Sequence, residues 1–441
     1  MQMDSNVATV GLPLRGNMQV DAQGVLWIGG CSTVNLAETY GTPLFVYDES
    51  LIRETMQSFH AVFQRLSQPY QISYASKAFC TVAMCRLAFE EGCDIDVVSG
   101  GELYTALTAG VPPERIHLHG NNKTSDELLL AMHEGIGTII VDNFDEIRVL
   151  AELTESEGRS MDVLLRISPG VTAHTHEFIS TGQQDSKFGF DLASGQADEA
   201  MRLISAVKTL HVVGLHAHIG SQIFDTRGHL LMIERLAALY ARGLQLGLPL
   251  TIVNVGGGFG IRYTAEDEPM PVTHHLEAII STVAKAFLHR QLAVPTIWIE
   301  PGRSIVASAG TTLYRVGTHK QIAGVRNYVA VDGGMTDNPR LALYGAKYEV
   351  MLANRAKDEI CDTWSVAGKC CESGDMVVWD APIPTPQTDD VLAVFATGAY
   401  NYSMASNYNR IPRPAVVFVK NGDARLVVRR ETWADVLRLD L

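Results

Sequence analysis

The chain has 441 residues, of which 46% are hydrophobic, and its 35 basic and 49 acidic side chains give a formal net charge of −14. A chain of this length and apolar content can bury a large core, and its length predicts two domains. Its acidity, with no run of lysine or arginine to offset it, argues against a nucleic-acid partner.

The N-terminus and the cysteine count predict a cytoplasmic protein. Residues 1–17 lack a basic region followed by an apolar stretch, so we expect no signal peptide. No apolar run approaches the roughly 18 residues that span a bilayer, so we expect no membrane contact. Seven cysteines, an odd number, argue against a full disulfide framework and fit a reducing compartment.

Eight short β-rich runs alternate with helical stretches in the middle of the chain. The runs are 72–77, 94–99, 116–120, 138–143, 162–168, 212–220, 251–258 and 296–302. Eight such repeats over about 230 residues favour a (β/α)8 TIM-type barrel over an open, doubly wound sheet. Polar residues and glycines follow these runs at the rim where barrels build their active sites. They are Lys77, Ser99, Asn121, Asp142, Arg166, His218, Gly256 to Gly258 and Glu300.

After the last of these runs the pattern changes to short strands without long helices between them. The pair Asn421-Gly422 lies between two such strands and predicts a hairpin with a type I′ turn. We therefore expect a barrel domain over 49–302. The remainder, 303–441 with N-terminal strands from 1–48, is expected to form an all-β domain, either a sandwich or a barrel.

Two motifs suggest a bound aldehyde and a bound anion. Lys77 ends an apolar strand, where partial desolvation would lower its pKa and free the amine for a Schiff base. The alternative is a strand-end lysine that only reaches solvent. The run 254–260, "NVGGGFG", resembles a phosphate cradle, although a tight turn without a ligand gives the same pattern. His218 and Ser221, in "HIGSQ", lie on the neighbouring strand at the same rim.

Further motifs at the rim point to a metal or to a cofactor with a ring nitrogen. His216 and His218 face the same side of a strand and could bind a metal, as in barrel hydrolases. The later strand ends offer glycines instead of further ligands, so we expect no metal. Glu300 and Arg303, in "EPGR", could pair with a protonated ring nitrogen and a carboxylate, or with each other. A Schiff-base lysine, an anion cradle, a histidine and an opposing acid together favour pyridoxal 5'-phosphate.

A series of motifs runs in one order along nearly the whole chain. They are "YASKAF", "DVVSGGEL", "HGNNK", "THEFISTG", "SKFGF", "HIGSQ", "GGGFG", "EPGR", "CESGD" and "GAYNYSMASNYN". On these motifs the chain resembles the diaminopimelate decarboxylases, which are pyridoxal-phosphate enzymes with an alanine racemase-like barrel. The resemblance implies conversion of meso-2,6-diaminopimelate to L-lysine and CO2, the last step of lysine biosynthesis. It also implies a homodimer with shared active sites.

The resemblance further implies a role for each matching residue. Two would be catalytic: Lys77 as the Schiff-base lysine, and Cys371, supplied by the second subunit, as the proton donor. The implied cofactor-binding residues are Lys77, His218, Ser221, Gly256, Gly257, Gly258, Glu300, Pro301, Gly302, Arg303 and Tyr400. The implied substrate-binding residues are Arg303, Arg340, Tyr344, Glu372 and Tyr400. Small departures from the family pattern, at Pro339, Leu341 and Asn401, affect only the expected fine specificity.

The adjacent cysteines of "KCCESGD" are equivalent by composition. On a strand, neighbouring side chains point to opposite faces, so only one of the two can face a site. The family pattern selects Cys371 and Glu372 and leaves Cys370 as core filler.

Three other functions stay open from the sequence. The first is a pyridoxal-phosphate decarboxylase of another basic amino acid, such as ornithine, lysine or arginine. The second is a metal-dependent barrel hydrolase, and the third is a catalytically inactive homologue.

Overall fold

The computed structural model describes residues 12–171 and 186–441. The sequence "HTH" at 174–176, which we expect to be a polar lid segment, and the motif "THEFISTG" at 175–182 lie outside the described residues. Within them the chain forms 21 strands and 12 α-helices. The strands are β1 (Gln19–Val20), β2 (Leu26–Ile28), β3 (Cys31–Ser32), β4 (Leu44–Asp48), β5 (Tyr70–Ala75), β6 (Asp94–Val97), β7 (Ile116–Leu118), β8 (Thr138–Val141), β9 (Met161–Ser168), β10 (Phe190–Asp191), β11 (Leu210–His216), β12 (Ile252–Asn254), β13 (Thr296–Ile299), β14 (Gly310–Ile322), β15 (Arg326–Val331), β16 (Val350–Leu352), β17 (Asp362–Ala367), β18 (Met376–Ile383), β19 (Val391–Phe395), β20 (Ala415–Lys420) and β21 (Asp423–Val428). The helices are α1 (Thr33–Tyr40), α2 (Glu49–Arg65), α3 (Val82–Glu90), α4 (Gly100–Thr108), α5 (Ser125–Glu134), α6 (Phe144–Ser156), α7 (Gln196–Ser205), α8 (Arg227–Gln245), α9 (Val272–Leu288), α10 (Arg303–Val306), α11 (Arg340–Tyr344) and α12 (Trp433–Leu437).

One compact unit, Ile52–Ile261 with Glu268–Ala307, is a closed parallel barrel. Its strands pair in the order β5, β6, β7, β8, β9, β11, β12, β13 and back to β5. Strands β6, β7 and β8 are buried along their whole length, as expected where helices cover a parallel sheet. All eight predicted runs form these strands, so the predicted barrel is confirmed and the open sheet is wrong.

Polar residues just past the barrel strands also start the following helices. The Ser99 hydroxyl accepts a hydrogen bond from the Glu102 N–H at 3.2 Å and caps α4. The Asn143 side chain accepts one from the Glu146 N–H at 3.0 Å and caps α6. Such caps pair N–H groups that the first helical turn leaves free. Ser99, one of the predicted rim residues, therefore has a structural role.

The amino-terminal end of the barrel carries an open polar pocket of about 630 Å³. Its buried charges pair with one another: the Asp94 carboxylate contacts Arg115, the Gln71 amide and, at 2.9 Å, Nε2 of His117. His117 Nδ1 lies 2.7 Å from the Thr138 hydroxyl. The charged groups at this end of the barrel are thus paired within one polar network.

The second compact unit contains the described residues of Met1–Leu51, Arg262–Asp267 and Ser308–Leu441. Its main sheet has the order β18, β17, β15, β14, β4, β20, β21, with β19 paired to β14 and β16. The N-terminal strand β4 lies between β14 and β20, which confirms that N-terminal residues join the all-β region. Strand β16 was not predicted, because three residues between loops give no periodic signal.

The predicted hairpin at Asn421-Gly422 is confirmed. Lys420 and Asp423 are paired residues of β20 and β21, which leaves a two-residue loop between the strands. Both loop residues have positive φ, 52° for Asn421 and 87° for Gly422. A type I′ turn requires these values, and Asn-Gly adopts them at low cost.

Among all the described helices, none has the length and apolar character that crossing a bilayer requires.

Candidate active site

A cluster of buried polar side chains lies at the carboxyl end of the barrel strands. Glu300 directly follows β13, and its carboxylate is held by side chains at the ends of β11 and β12. Its Oε2 lies 3.1 Å from Nε2 of His216, and its Oε1 accepts a hydrogen bond from the Asn254 amide at 2.6 Å. Burial alone would raise the pKa of Glu300, but the imidazoles of His216 and His119 hold that pKa well below its usual range. Glu300 is therefore an ionised carboxylate.

Asp96, beside this cluster, has its pKa shifted in the opposite direction. Burial, followed by repulsion from Glu300, raises the pKa of Asp96 well above its usual value. Neither carboxyl oxygen of Asp96 has a hydrogen-bond partner among the described residues, and the same holds for Nε2 of His119. Burial lowers the pKa of His119 well below its usual value, although the neighbouring Glu300 carboxylate opposes this shift. The site thus holds two neighbouring carboxyl groups whose pKa values are shifted in opposite directions.

His218 follows the end of β11 and is fixed as a neutral imidazole. The Gly257 N–H donates a hydrogen bond to its Nδ1 at 3.2 Å, which leaves the proton of the ring on Nε2. Burial, followed by the positive charge of Lys77, lowers the pKa of His218 well below its usual value. A neutral ring next to a cationic amine is suited to lie against a flat, electron-poor ligand.

Lys77 lies in a short 3-10 turn, Ser76–Ala78, directly after β5. Its side chain is exposed, so the predicted partial desolvation of this amine is wrong for the described structure. The turn carries the residue past the buried strand end and into the barrel mouth. Its ammonium is within electrostatic range of Asp96, Glu102 and His218.

The three glycines of the predicted phosphate cradle are required by the close approach of neighbouring strand ends. A Cβ on Gly257 would lie 2.1 Å from the Glu300 carbonyl oxygen, and one on Gly258 would lie 2.5 Å from the Gly220 carbonyl oxygen. Gly256 and Gly258 also have positive φ values, 68° and 94°. The chain therefore needs glycine here with or without an anion, and the glycines by themselves are weak evidence for a phosphate.

Two buried histidines support this glycine turn from behind. Nε2 of His229, on α8, lies 3.0 Å from the Gly257 carbonyl oxygen and donates to it. Nδ1 of His229 then accepts from Nε2 of His275, on α9, at 3.1 Å. Burial lowers the pKa of His229 from 6.5 to about 3 and that of His275 to about 4. Both rings are neutral at pH 7, which the hydrogen-bond chain requires.

These two histidines predict a loss of stability in mild acid. Their folded-state pKa values lie below the unfolded value of 6.5, so the unfolded chain binds more protons between pH 6.5 and about pH 4. The stabilisation is complete above pH 6.5 and falls as the pH drops, by roughly 1.4 kcal/mol per pH unit for each histidine. Urea unfolding at pH 7 and pH 5 measures this, and His275→Gln is expected to show a smaller drop than wild type.

The matched control for this experiment is His133→Gln, which changes an exposed histidine on α5. It is expected to keep the wild-type dependence of stability on pH. An equal drop between pH 7 and pH 5 in His275→Gln and wild type would show that the histidine pair does not carry the effect.

Arg303 and Ser221, which the sequence assigns to substrate and cofactor, contact each other. The guanidinium of Arg303 donates from Nε and Nη2 to the Ser221 hydroxyl, at 3.0 and 2.9 Å. Arg303 is buried at the start of α10, and the preceding Pro301 and Gly302 are buried as well. The barrel unit therefore brings together Lys77, His218, Ser221, Gly256 to Gly258 and Glu300 to Arg303.

In the β unit, Arg340 is buried at the start of α11 without a carboxylate partner among the described residues. Its Nη1 donates to the Tyr348 hydroxyl at 2.8 Å, and its guanidinium lies 4.6 Å from the ring centre of Tyr263. The amide of Asn401 also donates to the Tyr348 hydroxyl, at 3.1 Å. Tyr344, on the same helix, is half-buried. An arginine so buried and held by phenols is suited to bind a carboxylate ligand.

The two adjacent cysteines lie in a turn between β17 and β18, so the strand predicted for them is wrong. The predicted difference between the two cysteines is nevertheless present, since the side chain of Cys370 is buried and that of Cys371 is exposed. The buried carboxylate of Asp375 shapes the turn by accepting from the Cys370 N–H at 2.7 Å. Glu372, the next predicted residue, is exposed, and Tyr400 is half-buried.

The structure also reveals site residues that the sequence analysis missed. Asp96, His119 and Asn254 belong to the cluster around Glu300, and Tyr348 holds Arg340. Asp96 and His119 alternate with core residues at the ends of predicted strands, and this alternation is the signal that could have located them. Asn254 is the first residue of the glycine motif and was taken only as part of that motif.

His119, His216 and Glu300 present potential ligand atoms within 4.8 Å of one another. His119, from the end of β7, is the third ligand that the sequence analysis had not found. The Glu300 carboxylate in this group already accepts from the Asn254 amide and faces His216. His216 and Asn254 therefore hold the Glu300 carboxylate, and His119 lies beside it with its Nε2 3.3 Å from Oε1 of Glu300.

Comparison with known proteins agrees with this geometry. The family described as pyridoxal-dependent decarboxylase, pyridoxal binding domain, matches residues 49–307. The diaminopimelate decarboxylase of Bacillus subtilis (strain 168) is 55% identical over 429 residues, which cover 97% of this chain and 98% of that protein.

Solved structures agree over nearly the whole chain. The diaminopimelate decarboxylase of M. jannaschii, in complex with L-lysine, has a TM-score of 0.90 and 34% identity, covering 96% of this chain and 97% of that one. The Helicobacter pylori enzyme, also with L-lysine, has a TM-score of 0.84 and 31% identity, covering 92% and 98%. The chain belongs to the diaminopimelate decarboxylase family of pyridoxal-dependent decarboxylases.

Proposed function

We propose that this chain is a pyridoxal 5'-phosphate-dependent carboxy-lyase that converts meso-2,6-diaminopimelate to L-lysine and CO2. The observation that carries the proposal is the buried, ionised Glu300 at the mouth of a barrel that also presents the amine of Lys77. Relatives named diaminopimelate decarboxylase match the chain over almost its full length. Two solved structures of such relatives hold L-lysine, the expected product.

The barrel residues fit the cofactor by their chemistry. An ionised, desolvated carboxylate such as Glu300 would keep a proton on the pyridine nitrogen. The neutral ring of His218 would lie against the pyridine, and Lys77 would bond to the aldehyde carbon through its amine. Gly256 to Gly258 and Ser221 would hold the phosphate, with Pro301, Gly302 and Arg303 completing the surroundings. When bound, this cofactor supplies an electron sink for the pair left on the α-carbon as CO2 departs.

The residues of the β unit would select the substrate. Arg340 is buried and lacks a carboxylate partner among the described residues, so binding the distal carboxylate of diaminopimelate would satisfy it. Tyr344 and Tyr400 would border the substrate, and Glu372 would accept from the distal ammonium. Arg303, which belongs to the barrel unit, would also bind a substrate carboxylate. L-Lysine and ornithine have no distal carboxylate, so they would leave Arg340 without a carboxylate partner.

The last step places a proton on the α-carbon, and we assign it to the thiol of Cys371. This side chain is exposed in the single chain, as is Glu372. We propose a homodimer in which each subunit supplies these two residues to the other's site. A thiol held on one side of the α-carbon would deliver the proton to one face and so set the stereochemistry of the product.

A substrate comparison tests the proposal. We expect CO2 release from meso-diaminopimelate with kcat/KM at least roughly 10⁴-fold above that from L-lysine or L-ornithine. Arg340→Gln should lower kcat/KM for diaminopimelate by about 100-fold, through loss of a charge-assisted contact. The same variant should barely change the slow reaction with L-lysine, which lacks the distal carboxylate.

Two results would contradict this function. Faster turnover of L-lysine or L-ornithine than of diaminopimelate would make the protein a decarboxylase of basic amino acids. A colourless purified protein with stoichiometric zinc and no decarboxylation would favour the metal-dependent hydrolase and the cluster of His119, His216 and Glu300 as its metal site.

A further inference from the structure

The side chain of Asn254 connects two parts of the barrel rim that would contact opposite ends of a bound cofactor. It lies at the end of β12 and is only 1% exposed. Its amide nitrogen donates to Oε1 of Glu300 at 2.6 Å, and its amide oxygen accepts from the Gly256 N–H at 2.9 Å. The amide orientation is fixed by chemistry, since only the nitrogen can donate to a carboxylate and only the oxygen can accept from an N–H.

The backbone closes this arrangement into a ring of hydrogen bonds. The Glu300 N–H donates to the Gly256 carbonyl oxygen at 2.9 Å, so Glu300 and Gly256 are linked both directly and through Asn254. His216 is the paired residue of Asn254 on the neighbouring strand and holds the other oxygen of Glu300. The register of β11 and β12 thus places His216 at one carboxylate oxygen of Glu300 and Asn254 at the other.

We propose that Asn254 is a positioning residue, which holds Glu300 ionised toward the pyridine nitrogen and at the same time fixes the first glycine of the phosphate turn. This inference rests on the proposed function, because it assigns Glu300 and Gly256 to the same cofactor. An amide suits the task where an acid does not. A carboxyl at position 254 would still accept from Gly256, but it would place a second acid against Glu300 and raise the pKa of the pair.

The isosteric variant Asn254→Asp therefore separates the two contacts, whereas Asn254→Ala removes both. We expect Asn254→Asp to bind pyridoxal 5'-phosphate within about threefold of wild type, because the contact with Gly256 remains. Its ring nitrogen should lose the proton that wild type keeps, which ¹⁵N NMR of ring-labelled cofactor detects as a shift toward the unprotonated value. Asn254→Ala should weaken cofactor binding by at least about tenfold.

Asn327→Asp is the matched control, because Asn327 in the β unit donates to the Asp362 carboxylate at 2.7 Å in the same kind of pair. It should leave the ¹⁵N resonance and the cofactor dissociation constant unchanged. An unshifted ring-nitrogen resonance in Asn254→Asp would overturn the proposal, and this variant decides alone if Asn254→Ala does not fold. The proposed function is tested separately, since it fails only if wild type itself does not bind the cofactor or release CO2 from diaminopimelate.

Discussion

Replacing Lys77 with alanine is expected to reduce CO2 release by roughly 10⁴-fold or more, because the amine that bonds the cofactor is lost. The visible absorbance of the lysine-bound cofactor should disappear in the same variant. Lys77 is exposed, so its truncation should change the free energy of unfolding by no more than about 0.5 kcal/mol. The loss of activity would then be chemical and not a consequence of unfolding. Absorbance spectra, CO2 release and a thermal melt measure the three quantities.

Lys208→Ala is the control for this variant. Lys208 is exposed between α7 and β11 and has no role in the proposed mechanism. It should keep wild-type absorbance and turnover. If Lys77→Ala retained its visible absorbance and more than about a tenth of its activity, the covalent link to the cofactor would lie on another lysine.

Cys371→Ala is expected to keep the cofactor bound and to slow turnover by about 100-fold or more, the usual contribution of a positioned general acid. The neighbouring Cys370→Ala is an internal control, because the two thiols differ in burial although they are adjacent. Burial and the carboxylate of Asp375 raise the pKa of Cys370 to about 12, and its side chain has no proposed part in proton transfer. Equal turnover in Cys371→Ala and wild type would refute the proton-donor role.

The same two variants test whether active sites are shared. If Lys77 and Cys371 act in one site from different subunits, mixing inactive Lys77→Ala with inactive Cys371→Ala and allowing exchange restores one intact site per mixed dimer. Random exchange then recovers about a quarter of wild-type activity, since half of the dimers are mixed and each has one working site. No recovery despite exchange, which native mass spectrometry verifies, would place both residues in the same subunit.

Much of the fold could be predicted because its signals are local. Eight apolar runs alternating with helical segments specify a parallel barrel, and each run became a strand. The pair Asn421-Gly422 specifies its turn through the φ values that only a few residues tolerate. The very short β16 was missed, and the cysteine turn was taken for a strand, because neither segment carries a periodic pattern of its own.

The candidate site was predictable wherever a motif gathers its residues close together in sequence. Glu300, Arg303 and the glycine run each lie in such a motif. The supporting residues do not, since Asp96, His119 and Asn254 come from three different strands. Only closure of the barrel places their side chains around one carboxylate. Their contact depends on strand register, which no single segment specifies.

The sequence by itself determined the barrel and the family and predicted the candidate reactive groups, because residue type and order carry that information directly. The tertiary structure decided the burial and the electrostatic surroundings of these groups. It shows Glu300 ionised beside an Asp96 whose pKa is raised, Lys77 exposed where partial burial was predicted, and the glycines required by backbone contact. A pKa depends on burial and on neighbouring charges, and these exist only once distant strands have come together.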